Sequence, residues 1–176
     1  MIKKILVLIV LSSFMVSCGS SRNVSTSKKR RTTYKKKKRP STTKDVSLAD
    51  KVVWTAVTYK GVPYKYGGTT RKGMDCSGLI HTSFKVRNID LPRTSLAMYG
   101  EGYKIPLREV KRGDLLFFIT AKRKNRVNHV GLVTSVTNND IRFIHSTSSK
   151  GVIVSSLNQS YWRKAFLTAK RVLRDE

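Results

Sequence analysis

The chain has 176 residues, 39% of them hydrophobic, and a formal net charge of +26 at pH 7 from 36 lysines and arginines against 10 acids. That length holds one ordinary domain with its own core, and the charge excludes a cationic partner. A polyanion or an anionic surface is expected instead: nucleic acid, acidic lipid or cell-wall polymer.

The N-terminus narrows this choice. "MIKKILVLIVLSSFMVSCGSS" sets Lys3 and Lys4 before an apolar run from Ile5 to Leu11 and closes on small residues at Cys18. This is the pattern of an export signal, with an apolar stretch too short to span a bilayer. "MVSC" resembles a bacterial lipobox, with Met15 where leucine is more usual. The resemblance implies a signal peptide over 1–17, cleavage before Cys18 and lipidation of that cysteine. Gly19 resembles the sorting pattern of outer-membrane lipoproteins in Gram-negative bacteria, so the expected location is the cell envelope, facing the periplasm. Exported proteins rarely meet chromosomal DNA, and no nucleic-acid partner is expected.

Residues 18–45 form a separate segment. From Gly19 to Lys44 there is no acid, almost no large aliphatic residue and eleven basic residues, including "KKRR" and "YKKKKRP". Such a composition buries too little apolar surface to fold. It reads as a tether, serving as a solvated spacer, as a strip drawn onto anionic lipid or wall polymer, or as both. Extended, it reaches about 90 Å.

The folded domain is expected over 46–176. "SLADKVVWTAVTYKG" carries a capping pattern at Ser47 and Asp50 and a helical stripe of Ala49, Val52, Val53, Ala56 and Val57 that Gly61 can end,. A second helix starts near Cys76, capped by Asp75, with Leu79, Ile80, Ser83 and Phe84 at helical spacing. A short third helix is expected between Thr94 and Gly100. After these, "DLLFFIT", "HVGLVTSV", "IRFIHS" and "GVIVSSL" are short, β-branched or aromatic runs. "SYWRKAF" is helical or irregular, and "TAKRVL" is a last strand. Helices first and strands after them predict an α+β fold with a largely antiparallel sheet of five or six strands.

Beyond Cys18, Cys76 is the only cysteine. An exported protein has little use for a leftover thiol unless it works. In the first turn of a helix, N–H groups and the helix dipole favour a thiolate. Histidine is also scarce. His129 opens one strand, with Gly131 leaving room beside it, and His145 ends the next; a hairpin through "TNND" brings the two together. Nucleophile, imidazole base and an orienting group behind it are the parts of a cysteine hydrolase. The spacing of His81 from Cys76 turns it away from the thiol, so it reads as structural. One free thiol and two histidines do not make an ordinary zinc set, and neither a metal nor another cofactor is expected.

"PYKYGGTTRKGMDCSGLI", "LPRTS", "KRGDLLFF", "NHVGLV" and "FIHSTSSKGVIVSSL" together resemble the NlpC family of papain-like cell-wall cysteine peptidases, over nearly everything from Val46 onward. The closing sequence is similar to the family's lipid-anchored murein endopeptidases. Met98 departs from the pattern, standing where many members have glutamine. The resemblance implies a papain-like fold, with Cys76 as nucleophile, His129 as general base and His145 as the orienting residue. It also implies a tyrosine near the oxyanion, Tyr64 or Tyr66, with the spacing after "GVP" favouring Tyr64. Asp75 and Ser77 are expected near the substrate, chiefly as helix cap and loop shaping. Arg93 either meets a stem-peptide carboxylate or covers the helix.

The reaction implied is hydrolysis of a peptidoglycan cross-link, with the bond from D-alanine to meso-diaminopimelate favoured. That preference rests on the closing sequence and on a tether that runs straight into the domain. The alternatives are a γ-D-glutamyl-diamino acid endopeptidase, an acyltransferase or amidase on the same scaffold, and a non-catalytic wall-binding lipoprotein.

Overall fold

Ser47 closes the head of the first helix. Its hydroxyl accepts from the Asp50 N–H at 3.1 Å and donates to the Asp50 carboxylate at 2.7 Å, a reciprocal cap for α1, Leu48–Val57,. The computed structural model describes residues 46–121 and 126–173. The signal peptide, Cys18 and the tether expected over 1–45 lie outside the described residues. Among the described residues, no helix is long and apolar enough to cross a membrane.

The buried stripe of α1 is Val52, Val53, Thr55 and Ala56, whereas Val57, expected to be part of it, is 42% exposed. The stripe includes Thr55, whose hydroxyl accepts from the Arg87 guanidinium at 3.0 Å. Gly61, the expected stop, lies beyond the helix. Its backbone is left-handed (φ 86°) and its N–H donates to Val152 at 2.9 Å. Two-residue strands β1, Thr69–Thr70, and β2, Gly73–Met74, then form a ribbon. The ribbon delivers the chain to α2, Cys76–Lys85. A single turn, α3, Ser95–Met98, follows its cap Thr94.

Six strands make the sheet: β3 (Tyr103–Ile105), β4 (Leu115–Phe118), β5 (His129–Thr137), β6 (Asp140–Thr147), β7 (Gly151–Ser156) and β8 (Phe166–Arg171). A short α4, Ser160–Ala165, precedes β8. Their order is β3-β8-β4-β5-β6-β7, with every neighbouring pair antiparallel. The expected hairpin is present: Thr137 pairs with Asp140 across Asn138 and Asn139.

Alternation along the strands divides the core. Leu115, Phe117, Val130, Leu132 and Ile144 join α1 and α2 in one cluster. Leu116, Phe118, Val133 and Phe143 join Trp162 of α4 in the other. Each large apolar side chain buried here contributes about 1.5–3 kcal/mol. Met98 is wholly buried in the first cluster, which accounts for an apolar residue there. Gly131 serves packing: a Cβ there would stand 2.4 Å from the Phe143 ring. The "KRGD" turn is structural too, since Asp114 accepts from the Lys111 N–H at 2.7 Å and from Arg171 at 2.8 Å.

Candidate active site

Asp75 ties the thiol's helix to the loop before it. Its carboxylate accepts from the Gly78 N–H at 2.6 Å, the Gly67 N–H at 2.7 Å and both terminal nitrogens of Arg93 at 2.8 and 2.9 Å. Burial alone would raise this carboxyl, but the Arg93 and backbone hydrogen bonds outweigh it and hold it below its ordinary value,. Arg93 also donates to the Ser77 hydroxyl at 2.9 Å and the Gly68 carbonyl at 3.3 Å. The carboxylate that Arg93 meets is therefore Asp75, and the arginine locks the loop onto the helix. The crossing is so close that a Cβ on Gly78 would lie 2.1 Å from the Gly68 oxygen. Only glycine fits at that position of "DCSG".

This cap should be visible in stability. Asp75→Asn is expected to cost about 1–3 kcal/mol at pH 7. Because the folded carboxyl lies below 3.8, its contribution is complete above pH 4 or so and is lost as pH falls through the folded value. Urea unfolding of both proteins from pH 7 to pH 3 checks this. The gap between them should shrink with acid, and a gap independent of pH contradicts the assignment.

Cys76 opens α2 and borders a cleft of about 850 Å³ with Tyr64, His129, Lys150, Ser155 and Trp162. Burial pushes the thiol up. The N–H of Val130 works against that, Asp75 adds to it, and the N–H groups of Ser77 and Cys76 oppose it. The N–H groups of the first turn favour the thiolate, as expected, and burial works against them more strongly,. Tyr64 lines the cleft, while Tyr66 is 88% exposed and is not among the lining residues. Burial first, then the neighbouring Cys76 and Asp75, raises the Tyr64 phenol. Its hydroxyl is a donor at neutral pH.

His129 and His145 are brought together by the β5–β6 hairpin. His129 Nε2 lies 2.9 Å from His145 Nδ1. The His129 ring stacks on Trp162, with centroids 5.2 Å apart and planes at 22°. With Nε2 engaged by His145, Nδ1 is the other nitrogen of a ring that lines the cleft together with Cys76. Burial lowers His129 to about 4 and His145 to about 3, the second also through the charge of the first. Both rings are neutral at pH 7. Burial opposes an isolated charge on either Cys76 or His129, but proton transfer between them creates two opposite charges together.

Asn128 steadies the start of β5: its side chain accepts from the Thr120 N–H at 2.8 Å and donates to the Thr120 hydroxyl at 2.9 Å. His81 stands apart, its Nδ1 2.7 Å from the Leu91 carbonyl. It ties α2 to the following loop. Sequence reasoning did not single out Trp162 or Ser155. The Ser155 hydroxyl is 2.8 Å from His145 Nε2. Counting register from the short β6–β7 turn would have found Ser155, opposite Phe143 and diagonal to His145. Nothing in the sequence marks Trp162. Among the described residues, no group of three or more His, Cys, Asp or Glu is placed to hold a metal ion.

The sequence profile of the NlpC/P60 family matches residues 61–171. The chain belongs to the NlpC/P60 family. It is 42% identical over 116 residues to the probable endopeptidase NlpC of Escherichia coli K12, a match covering 65% of this chain and 72% of that one. It is 34% identical over 131 residues to the murein DD-endopeptidase MepS/murein LD-carboxypeptidase of the same organism, covering 74% of this chain and 66% of the relative. An NlpC/P60 family protein of Bacillus cereus superposes with a TM-score of 0.65 at 30% identity, over 73% of this chain and 41% of that one. The antiparallel sheet with helices packed upon it is thus the NlpC/P60 fold.

Proposed function

We propose that this NlpC/P60 protein is a murein endopeptidase that opens peptidoglycan stem-peptide cross-links with Cys76 as nucleophile. The observation that carries the reading is a cleft lined by both Cys76 and His129, with the buried His145 behind His129 and their imidazole nitrogens 2.9 Å apart, on a chain of this family. The His129 Nδ1 takes the thiol proton as sulfur attacks the scissile carbonyl. Tyr64 and the N–H groups at the start of α2 hold the oxyanion. The protonated His129 then gives its proton to the leaving amine, and water releases the acyl group from the thioester.

The preferred bond is that from D-alanine to meso-diaminopimelate. The 131-residue match to a murein DD-endopeptidase supports it. The alternative is supported by 30% identity over 124 residues to the γ-D-glutamyl-L-lysine dipeptidyl-peptidase of Bacillus subtilis. Purified cross-linked dimers and monomeric stems separate the two. Dimers should fall to two intact monomers, whereas dipeptides split after D-glutamate would establish the alternative bond. The same reading places the protein in the cell envelope, held to the outer membrane by lipid on Cys18 with the 18–45 tether over anionic surfaces. A Cys18→Ser chain that still sediments with membranes contradicts that anchor.

A further inference from the structure

A base at His129 constrains the protons of His145. A neutral imidazole can take the thiol proton at Nδ1 only when its own proton sits on Nε2. His129 must therefore donate from Nε2 to His145 Nδ1, which must be bare. His145 then carries its proton on Nε2 and needs an acceptor there. That ring is wholly buried, with Phe143 at 4.7 Å and Trp162 at 4.5 Å between centroids. A bare N–H in such a place is costly.

The acceptor is Ser155, whose hydroxyl lies 2.8 Å from His145 Nε2 and whose residue is 5% exposed. We propose that Ser155 is a positioning residue for the reaction, fixing the proton of His145 on Nε2 so that His129 presents a bare Nδ1 to the thiol. The relay runs from His129 Nε2–H to His145 Nδ1 and from His145 Nε2–H to the Ser155 oxygen. Reversing it puts a proton on His129 Nδ1, where it blocks the base. Without a hydroxyl at position 155, the active arrangement leaves a buried N–H unpaired on His145 Nε2, whereas the reversed one leaves only a bare nitrogen there, so the balance moves toward the reversed arrangement. This inference rests on the cysteine-hydrolase reading, and it concerns ring protons that exist whether or not substrate is turned over.

The test uses the full chain with ¹⁵N-labelled histidine, with NMR at pH 7 reading which ring nitrogen carries each proton. In the wild type both His129 and His145 should be protonated on Nε2. A proton on His145 Nδ1 overturns the proposal without any variant being made. Ser155→Ala should move both rings toward Nδ1–H and lower kcat about tenfold, the worth of one buried hydrogen bond, with KM unchanged. Ser155→Thr, which keeps the hydroxyl, should restore both readouts. Ser155→Ala with wild-type tautomers and kcat, or with a change in KM alone, contradicts the relay. If Cys76→Ala retained turnover while the rings behaved as described, the hydrolase reading would fail and the relay would stand.

Discussion

Replacement of Cys76 by alanine is expected to lower the release of muropeptides by a factor of about 10⁴ or more while leaving the domain folded. The loss is large because the thiol is the group that forms the acyl intermediate, and the two buried serine hydroxyls of the cleft are engaged elsewhere: Ser146 donates to the Met74 carbonyl at 2.7 Å, and Ser155 lies 2.8 Å from His145 Nε2. Removing a nucleophile leaves only the binding and oxyanion contributions. The structural cost is small. The cysteine side chain is partly buried beside the first core cluster, and loss of one sulfur there costs about 1 kcal/mol. Thermal unfolding of the variant should stay within a few degrees of wild type. Turnover near the wild-type rate sinks the cysteine mechanism.

The second large effect separates the two histidines. His129→Ala should lose about 10³-fold or more in kcat, since it removes the group that moves the proton. His145→Ala should lose less, about 10–100-fold, and His145→Asn or His145→Gln less still, because an amide can also accept from the His129 ring. The His145→Ala value includes a cavity under Trp162, so the amide variants are the cleaner comparison. The pH dependence follows from burial. His129 lies at about 4, so it remains a base at neutral and mildly acid pH. The rate constant kcat/KM should hold its plateau well below pH 6 and fall only as that imidazole gains a proton. An acid limb centred near the ordinary histidine value of 6.5 contradicts a buried, neutral base. If His81→Ala damaged the rate more than His145→Ala, with both variants folded, the roles of the two histidines would be reversed.

Much of this site was legible in the sequence because its signals are local. Cys76 follows a capping aspartate at the head of an apolar helical stripe, and both features concern residues within one turn. His129 and His145 flank a hairpin with a two-residue turn, which puts both near one end of the sheet; counting from the turn alone would set them on opposite faces, and the irregularity between Val133 and Ser135, unmarked in the sequence, brings them to one face,. What could not be counted was missed. Asp75 and Arg93 meet across eighteen positions that include all of α2, and while the spacing after "GVP" favoured Tyr64, its place in the cleft depends on how the chain bends into the β1–β2 ribbon. Strands of two or three residues such as β1, β2 and β3 carry too few side chains to show alternation. The thiol's burial was out of reach for a related reason: a helix N-terminus is visible in sequence, whereas the burial that opposes it is a property of the packed sheet. Val57 fell out of the expected stripe and Thr55 entered it; the partner of the Thr55 hydroxyl, Arg87, lies beyond the end of α2, thirty-two positions away, where periodicity cannot point to it.

Whether the Cys76 thiol is the reacting group is decided by titrating it. The full chain is treated with a small alkylating reagent, samples are taken as the reaction proceeds, and each is assayed for dimer cleavage and mapped by peptide mass spectrometry. Activity should fall in step with the fraction of Cys76 modified and reach zero when that fraction reaches one, whatever the state of Cys18. Activity that persists with Cys76 fully alkylated contradicts the account.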